Sequence, residues 1–161
     1  MSYTDFETLL NAARQGDVQA QAEIAFAYTK GAVVPRDYVE AARWYLLAAE
    51  AGNVTAQHNL AGMYLRGEGV PRDGQKAVHW YKQAAAQGDA DAQFNLGLIF
   101  EKGDIIDRSI EQAAHWFEIA AENGLARAQY EVGVMHLSGR GVERSVNRAR
   151  FWLEKAAAQG V

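Results

Sequence analysis

The amino-acid sequence predicts an all-α solenoid, four helix–turn–helix repeats behind an N-terminal capping helix, and three observations carry that reading. The first is a period. Gly16, Gly52, Gly88, Gly124 and Gly160 follow one another at intervals of 36 residues, and the same step joins Trp44, Trp80, Trp116 and Trp152, which are all the tryptophans of the 161-residue chain. Nine columns, those of Gly16, Ala20, Gln21, Gly31, Arg36, Ala41, Trp44, Ala48 and Ala49, are identical in all four repeats. Each residue type makes up less than roughly a tenth of ordinary sequence, so this many fourfold coincidences require a true repeat. The second observation is that apolar residues inside each repeat recur at three- and four-residue steps, the spacing of one buried helix stripe. The third is composition: Ala is abundant, Pro occurs only twice, and 49% of the residues are apolar, which favours folded helix over strand or disorder.

Residues 1–15 read as the capping helix. Phe6, Leu9, Leu10, Ala12 and Ala13 lie at helical spacing, and Ala12 and Ala13 fall in the columns of Ala48 and Ala49, whereas Thr8 stands where the repeats carry Trp. The repeats then run over 16–51, 52–87, 88–123 and 124–161 as one continuous domain. In each, a first helix carries a stripe such as Ala20, Ile24 and Ala27/Tyr28. It stops at Gly31, Gly67, Gly103 or Gly139, where glycine closes a helix in the left-handed conformation. Turns at 31–36, 67–72, 103–108 and 139–144 lead into a second helix bearing Ala41, Trp44/Tyr45 and Ala48/Ala49. Gly52 and its equivalents end that one. Nine helices follow from this count.

Start signals agree with the stops. Asp37 with Glu40, and Ser109 with Gln112, have capping-box spacing. Asp73 and Ser145 are plain caps, and Asp17, Asn53 and Asp89 cap the first helices of their repeats. Leu125 cannot cap, so the first helix of the fourth repeat should begin less sharply. The small residues of the Ala columns allow close helix approach, the Trp and Tyr side chains fill the wider gaps, and Trp44, Trp80, Trp116 and Trp152 are expected to be structural. One repeat cannot bury both of its stripes; stacking on a neighbour does so.

The net charge of −4 and pI near 5.6 lack the cationic footprint of a nucleic-acid binder. The charge is uneven, with six Lys/Arg against three Asp/Glu over residues 125–161. No apolar run approaches the roughly 18 residues of a membrane span, so membrane insertion is not expected. The amino terminus has neither a basic nor an apolar leader segment, and the expected location is the cytoplasm. With no Cys, disulfides and thiol chemistry are absent.

A search for chemistry returns little. His58, His79, His115 and His136 are not spaced as zinc ligands, read best as solvated helix-surface residues, and imply no metal site. Gly67-Glu68-Gly69 follows a helix, where a dinucleotide fingerprint requires a strand, and no phosphate loop or nucleophile elbow occurs. No cofactor and no enzymatic activity are expected. The column of Arg36, Arg72, Arg108 and Arg144 could grip an acidic partner, but each Arg follows the end of a first helix, where it can satisfy the last carbonyls.

Residues 56–89 resemble the Sel1-like repeat, a relative of the tetratricopeptide repeat. The match rests on the Ala56-Gln57 start, the aromatic column of Tyr28, Tyr64 and Phe100, the Gly-x-Gly-Val-Pro-x-Asp loop at 67–73, and the Trp-Tyr then Ala-Ala of the second helix. The third repeat loses the second Gly and the Pro of that loop and the first has Val33 in place of the Gly, so these two loops should bend differently. The fourth has His136 for the aromatic and Leu153 for Tyr. The resemblance implies a right-handed superhelix whose first helices line a concave groove. The positions offset from the buried stripe would then meet a partner: Phe26, Lys30, His58, Arg66, Phe94, Leu98, Lys102 and Tyr130. Two roles are open, an adaptor or regulator that binds a protein or peptide in the groove, and an immunity or inhibitor protein that neutralises one folded target such as a bacterial toxin or effector. The C-terminal end could also pair with another copy.

Overall fold

The computed structural model describes residues 2–161, and among these there are nine helices and no strands. They are α1 (Tyr3–Arg14), α2 (Val18–Lys30), α3 (Tyr38–Glu50), α4 (Val54–Arg66), α5 (Gly74–Ala86), α6 (Ala90–Lys102), α7 (Ile110–Glu122), α8 (Ala126–Ser138) and α9 (Val146–Ala158). The number and the order are those expected from the repeat.

The helix ends are set by the residues that the pattern singles out. Asp17, Asn53 and Asp89 accept hydrogen bonds from the backbone N–H groups of Ala20, Ala56 and Ala92 at 2.8–3.0 Å, each satisfying one orphan donor of a first turn. Asp37, Ser109 and Ser145 do the same at the starts of α3, α7 and α9. Leu125 makes no side-chain cap, as its chemistry requires. The first helix of each repeat ends on glycine with φ between 67° and 70°, a conformation in which a Cβ would be strained.

Each turn between helices closes with one backbone bond, from Asp37, Asp73, Ser109 and Ser145 N–H to the carbonyls of Tyr28, Tyr64, Phe100 and His136. Inside this common closure the turns differ as expected. Gly69 and Gly141 have φ near +70°, whereas among the described residues no non-glycine has positive φ, so the equivalent positions Val33 and Ile105 take another path. Gly69 also rests on the preceding repeat: a Cβ there would lie 2.0 Å from the Tyr38 carbonyl oxygen. Gly141 meets Ile110 in the same way.

The chain groups into two compact units, one ending at Ala84 and one running from Ala85 to Val161. In the first, Phe6, Leu10 and Ala13 of α1 pack on Ala20, Ile24 and Ala27 of α2, while Tyr45, Ala48, Leu60, Met63 and Ala77 fill a second part of the core. The capping helix therefore covers α2 with its own apolar stripe. In the second unit Phe94, Ala113, Phe117, Ala120, Val132 and Met135 form the core, with Trp152 against its edge.

Two columns behave as stacking features. Gln21, Gln57, Gln93 and Gln129 are buried, and each donates its side-chain N–H to the carbonyl of the residue eight positions earlier, Ala13, Ala49, Ala85 and Ala121, at 3.1–3.2 Å. These bonds tie each first helix to the helix before it. Arg72, Arg108 and Arg144 donate Nε–H to the carbonyls of Leu65, Glu101 and Leu137, the helix-end role expected of them. Arg36 lies over the Tyr38 ring instead.

The tryptophans are half-buried, Trp44, Trp80 and Trp152 packing against the cores, while the ring fully buried beside them in the first three repeats is Tyr45, Tyr81 or Phe117, with Leu153 in that column of the fourth. One expectation needs correction: not every histidine is solvated, and His136 is 1% exposed. It occupies the aromatic column of Tyr28, Tyr64 and Phe100, and its Nδ1 lies 3.0 Å from the Glu143 carbonyl, so that nitrogen carries the proton and ties the last turn to α8.

Candidate functional site

In the first unit the offset positions of α2 and α4 come together around a cleft of about 440 Å³. Gln19, Ala22, Glu23, Phe26 and Lys30 line it from α2, Thr55 and Asn59 from α4, with Tyr45 of α3 beneath and Ala32 and Val33 of the turn at one end. The spacing explains the arrangement. Positions 19, 22, 23, 26 and 30 form one helix stripe, rotated away from the buried stripe of Ala20, Ile24 and Ala27.

The lining is mostly apolar with polar groups at the edge. Phe26 is 53% exposed, and the Lys30 ammonium sits 5.1 Å from the centre of its ring. Gln19 donates to the Glu23 carboxylate at 2.9 Å, which holds both side chains along one rim. At the floor, Asn59 donates through Nδ2 to the Tyr45 hydroxyl at 3.2 Å. Burial pushes the Tyr45 hydroxyl pKa up, and its hydrogen bonds with Thr29 and Asn59 offset part of that rise. With Nδ2 engaged, the Asn59 carboxamide presents its carbonyl oxygen as an acceptor.

Of the eight expected partner-binding residues, only Phe26 and Lys30 line this cleft. His58 is half-buried and packs edge-on against Tyr81, ring centres 5.4 Å apart. Arg66 is exposed but pairs with Glu68 at 2.8 Å. In the second unit Lys102 is exposed, Tyr130 is 45% exposed, and Leu98 is partly buried against the core. Phe94 corrects the expectation: it is 7% exposed and packs tilted against Phe117, ring centres 5.1 Å apart, with the Arg127 guanidinium over its ring. It is a packing residue there. Glu23, Tyr45 and Asn59 were missed; 23 and 59 form one column, one residue past the Ala22/His58 column, which adjacency on the helix could have revealed.

Repeated helix pairs with interlocking Gln and Arg columns define the class of protein: an all-α repeat solenoid. The Sel1 repeat signature matches four consecutive segments, residues 18–53, 54–89, 90–125 and 126–161, and the chain belongs to the Sel1 repeat family. Among solved structures it is similar to c5321, a protective antigen of uropathogenic Escherichia coli, with 38% identity and a TM-score of 0.91 over 97% of this chain and 33% of that one. It is also similar to a Sel1 repeat protein from Oxalobacter formigenes, with 28% identity and a TM-score of 0.92 over 99% of this chain and 65% of that one. The chain thus spans a third of the first and just under two thirds of the second. The immunity protein Pa5087 of Pseudomonas aeruginosa shares the fold at 16% identity, with a TM-score of 0.53 over 95% of this chain and 72% of that one. No curated protein sequence matches significantly. No helix of the described residues is long and apolar enough to cross a membrane.

Proposed function

We propose that the chain is a non-catalytic interaction module, an adaptor or regulator, that takes a bulky apolar side chain of a partner peptide into the cleft between α2 and α4. Sel1 repeats generally serve protein–protein interaction, and a protein segment is the occupant that follows. The observation that carries the reading is Phe26, an aromatic ring more than half exposed on the wall of an open apolar cleft. Covering such a ring is what makes aromatic anchors dominate interfaces.

The rim supports the same occupant. Lys30, stacked on Phe26, is placed to meet a carboxylate beside the anchoring side chain, and Thr55 and Asn59 offer hydrogen bonds to main-chain groups. The alternative of a toxin-neutralising protein would call for an interface of standard size, about 1,600 Å², on a folded target. The likeness to Pa5087 concerns the fold.

The test is selection of a displayed random-peptide library on the wild-type chain. Enriched peptides should carry a bulky apolar residue with an acidic residue nearby. Phe26→Ala should weaken them on the order of tenfold to thirtyfold by fluorescence polarisation. Equal affinity for wild type and Phe26→Ala would place recognition elsewhere.

A further inference from the structure

The outer face of α9 is unlike the corresponding face of the earlier repeats. Val146, Arg150, Leu153 and Ala157 follow one another at steps of four, three and four residues, and with Glu154 and Leu137 of α8 they line a shallow apolar depression. Val146 is 52% and Leu137 44% exposed. Earlier in the chain these columns are covered. Leu153 corresponds to Tyr45, Tyr81 and Phe117, and Ala157 to Ala49, Ala85 and Ala121, all buried.

Arg150 decides what kind of surface this is. Its column holds Ala42, Val78 and Ala114, all buried, and Ala42 faces Leu60, Tyr64, Gly69 and Val70 of the following repeat. A further repeat packed in the same register would enclose the Arg150 guanidinium where the earlier repeats enclose a methyl or isopropyl group, at a large desolvation cost. The face is therefore built for an occupant that brings a carboxylate to Arg150 and a cation to Glu154. Among the described residues neither has an ion-pair partner.

We infer that this occupant is a second copy of the chain, bound isologously through α9. The face is its own complement. With two α9 helices antiparallel about a two-fold axis near residue 152, Arg150 of each copy lies opposite Glu154 of the other, and the larger Val146 lies opposite the small Ala157. Leu153 of each copy meets its equivalent close to the axis. A two-fold interface requires this self-matching, in which residue i meets j and j meets i. The four–three spacing supplies a stripe along which two helices pack at about 8–10 Å. This inference is independent of the cleft between α2 and α4.

The experiment measures mass by light scattering and sedimentation from about 1 μM to 1 mM protein. The wild-type chain should show a concentration-dependent dimer. Arg150→Glu and Glu154→Arg should each weaken it on the order of tenfold or more, because like charges then face each other, and the double exchange should restore it. Both residues are exposed, so far-UV circular dichroism should be unchanged. The chain has no cysteine, so Leu153→Cys should form a disulfide-linked dimer on oxidation and Val146→Cys should not. A monomer at every concentration would assign the face to another protein or a further repeat and overturn the inference. So would a dimer indifferent to the single charge reversals, or one that the double exchange fails to restore.

Discussion

The same columns make an open cleft in the first unit and a filled one in the second. On α2 the cleft position is Ala22, and the space above Tyr45 stays empty; on α6 it is Phe94, whose ring lies on Phe117. At the rim, Gln19 and Thr55 form no bond with each other that would close the entrance, whereas Asp91 and Arg127 form an ion pair and Arg127 also covers Phe94. Beneath, Tyr45 keeps a hydroxyl bonded to Asn59, and Phe117 keeps only its ring, pressed so close to α6 that a Cβ on Gly97 would lie 2.4 Å from it. The backbone repeat fixes where a site can be. Whether one exists depends on one side chain per helix.

The largest effect is expected from removing the filler. Phe94→Ala should leave a cavity over Phe117 and destabilise the protein by about 3–4 kcal/mol, read from denaturant unfolding. If the cavity collapses instead, the loss will fall below about 2 kcal/mol and the second unit will be shown to lack a latent cleft. The converse change, Ala22→Phe, should place a ring where Phe94 has one. Stability should move by less than about 1.5 kcal/mol, because the space is already open, while binding of selected peptides should be lost. Retained binding in Ala22→Phe would separate peptide recognition from this cleft.

Tyr45→Phe converts the floor of the first unit to that of the second. It removes the hydroxyl that Asn59 donates to and leaves that Nδ2 donor to find water from the cleft, so a loss of about 1 kcal/mol is expected in chemical denaturation. A loss above about 3 kcal/mol would mean that the donor is sealed from solvent and the cleft narrower than its shape indicates.

Much of this was legible in the sequence. Period, caps and glycine stops gave all nine helices, because these depend on local chemistry repeated four times, and the invariance of Gln21 and its equivalents finds its reason in the bond that each makes to the helix before it. The cleft was only half legible. Phe26 and Phe94 are both aromatic and lie on the same general side of their helices, yet one is open and the other buried. The difference comes from what the neighbouring helices present, Tyr45 and Thr55 in one case and Phe117 and Arg127 in the other. His136 was misread for a related reason. Its column holds the half-buried Tyr28 and Phe100 and the buried Tyr64, and a histidine there packs inward because a backbone carbonyl, that of Glu143, lies within reach of its ring nitrogen.

The smallest expected effect concerns the position that is Asn59 in the first unit and Glu131 in the second. Burial raises the pKa of the Glu131 carboxyl above its ordinary value near 4.5, the neighbouring Glu101 raises it further, and Arg140, which pairs with Glu101 at 2.9 Å, offsets part of the rise. A carboxyl whose folded pKa lies above its unfolded one binds more protons in the folded state between the two values. Its charge therefore costs stability as pH rises from about 4.5 through the raised value, and the cost is complete above it. Glu131→Gln removes that charge. The variant should be slightly more stable than wild type at pH 7, by no more than about 0.5 kcal/mol for a half-buried group still open to solvent screening, and the two should converge below pH 4. A variant less stable than wild type at neutral pH would mean that Arg140 serves Glu131 more than Glu101. The polar contrast between the two units would then rest on an ion pair in the second, where the first has an uncharged amide.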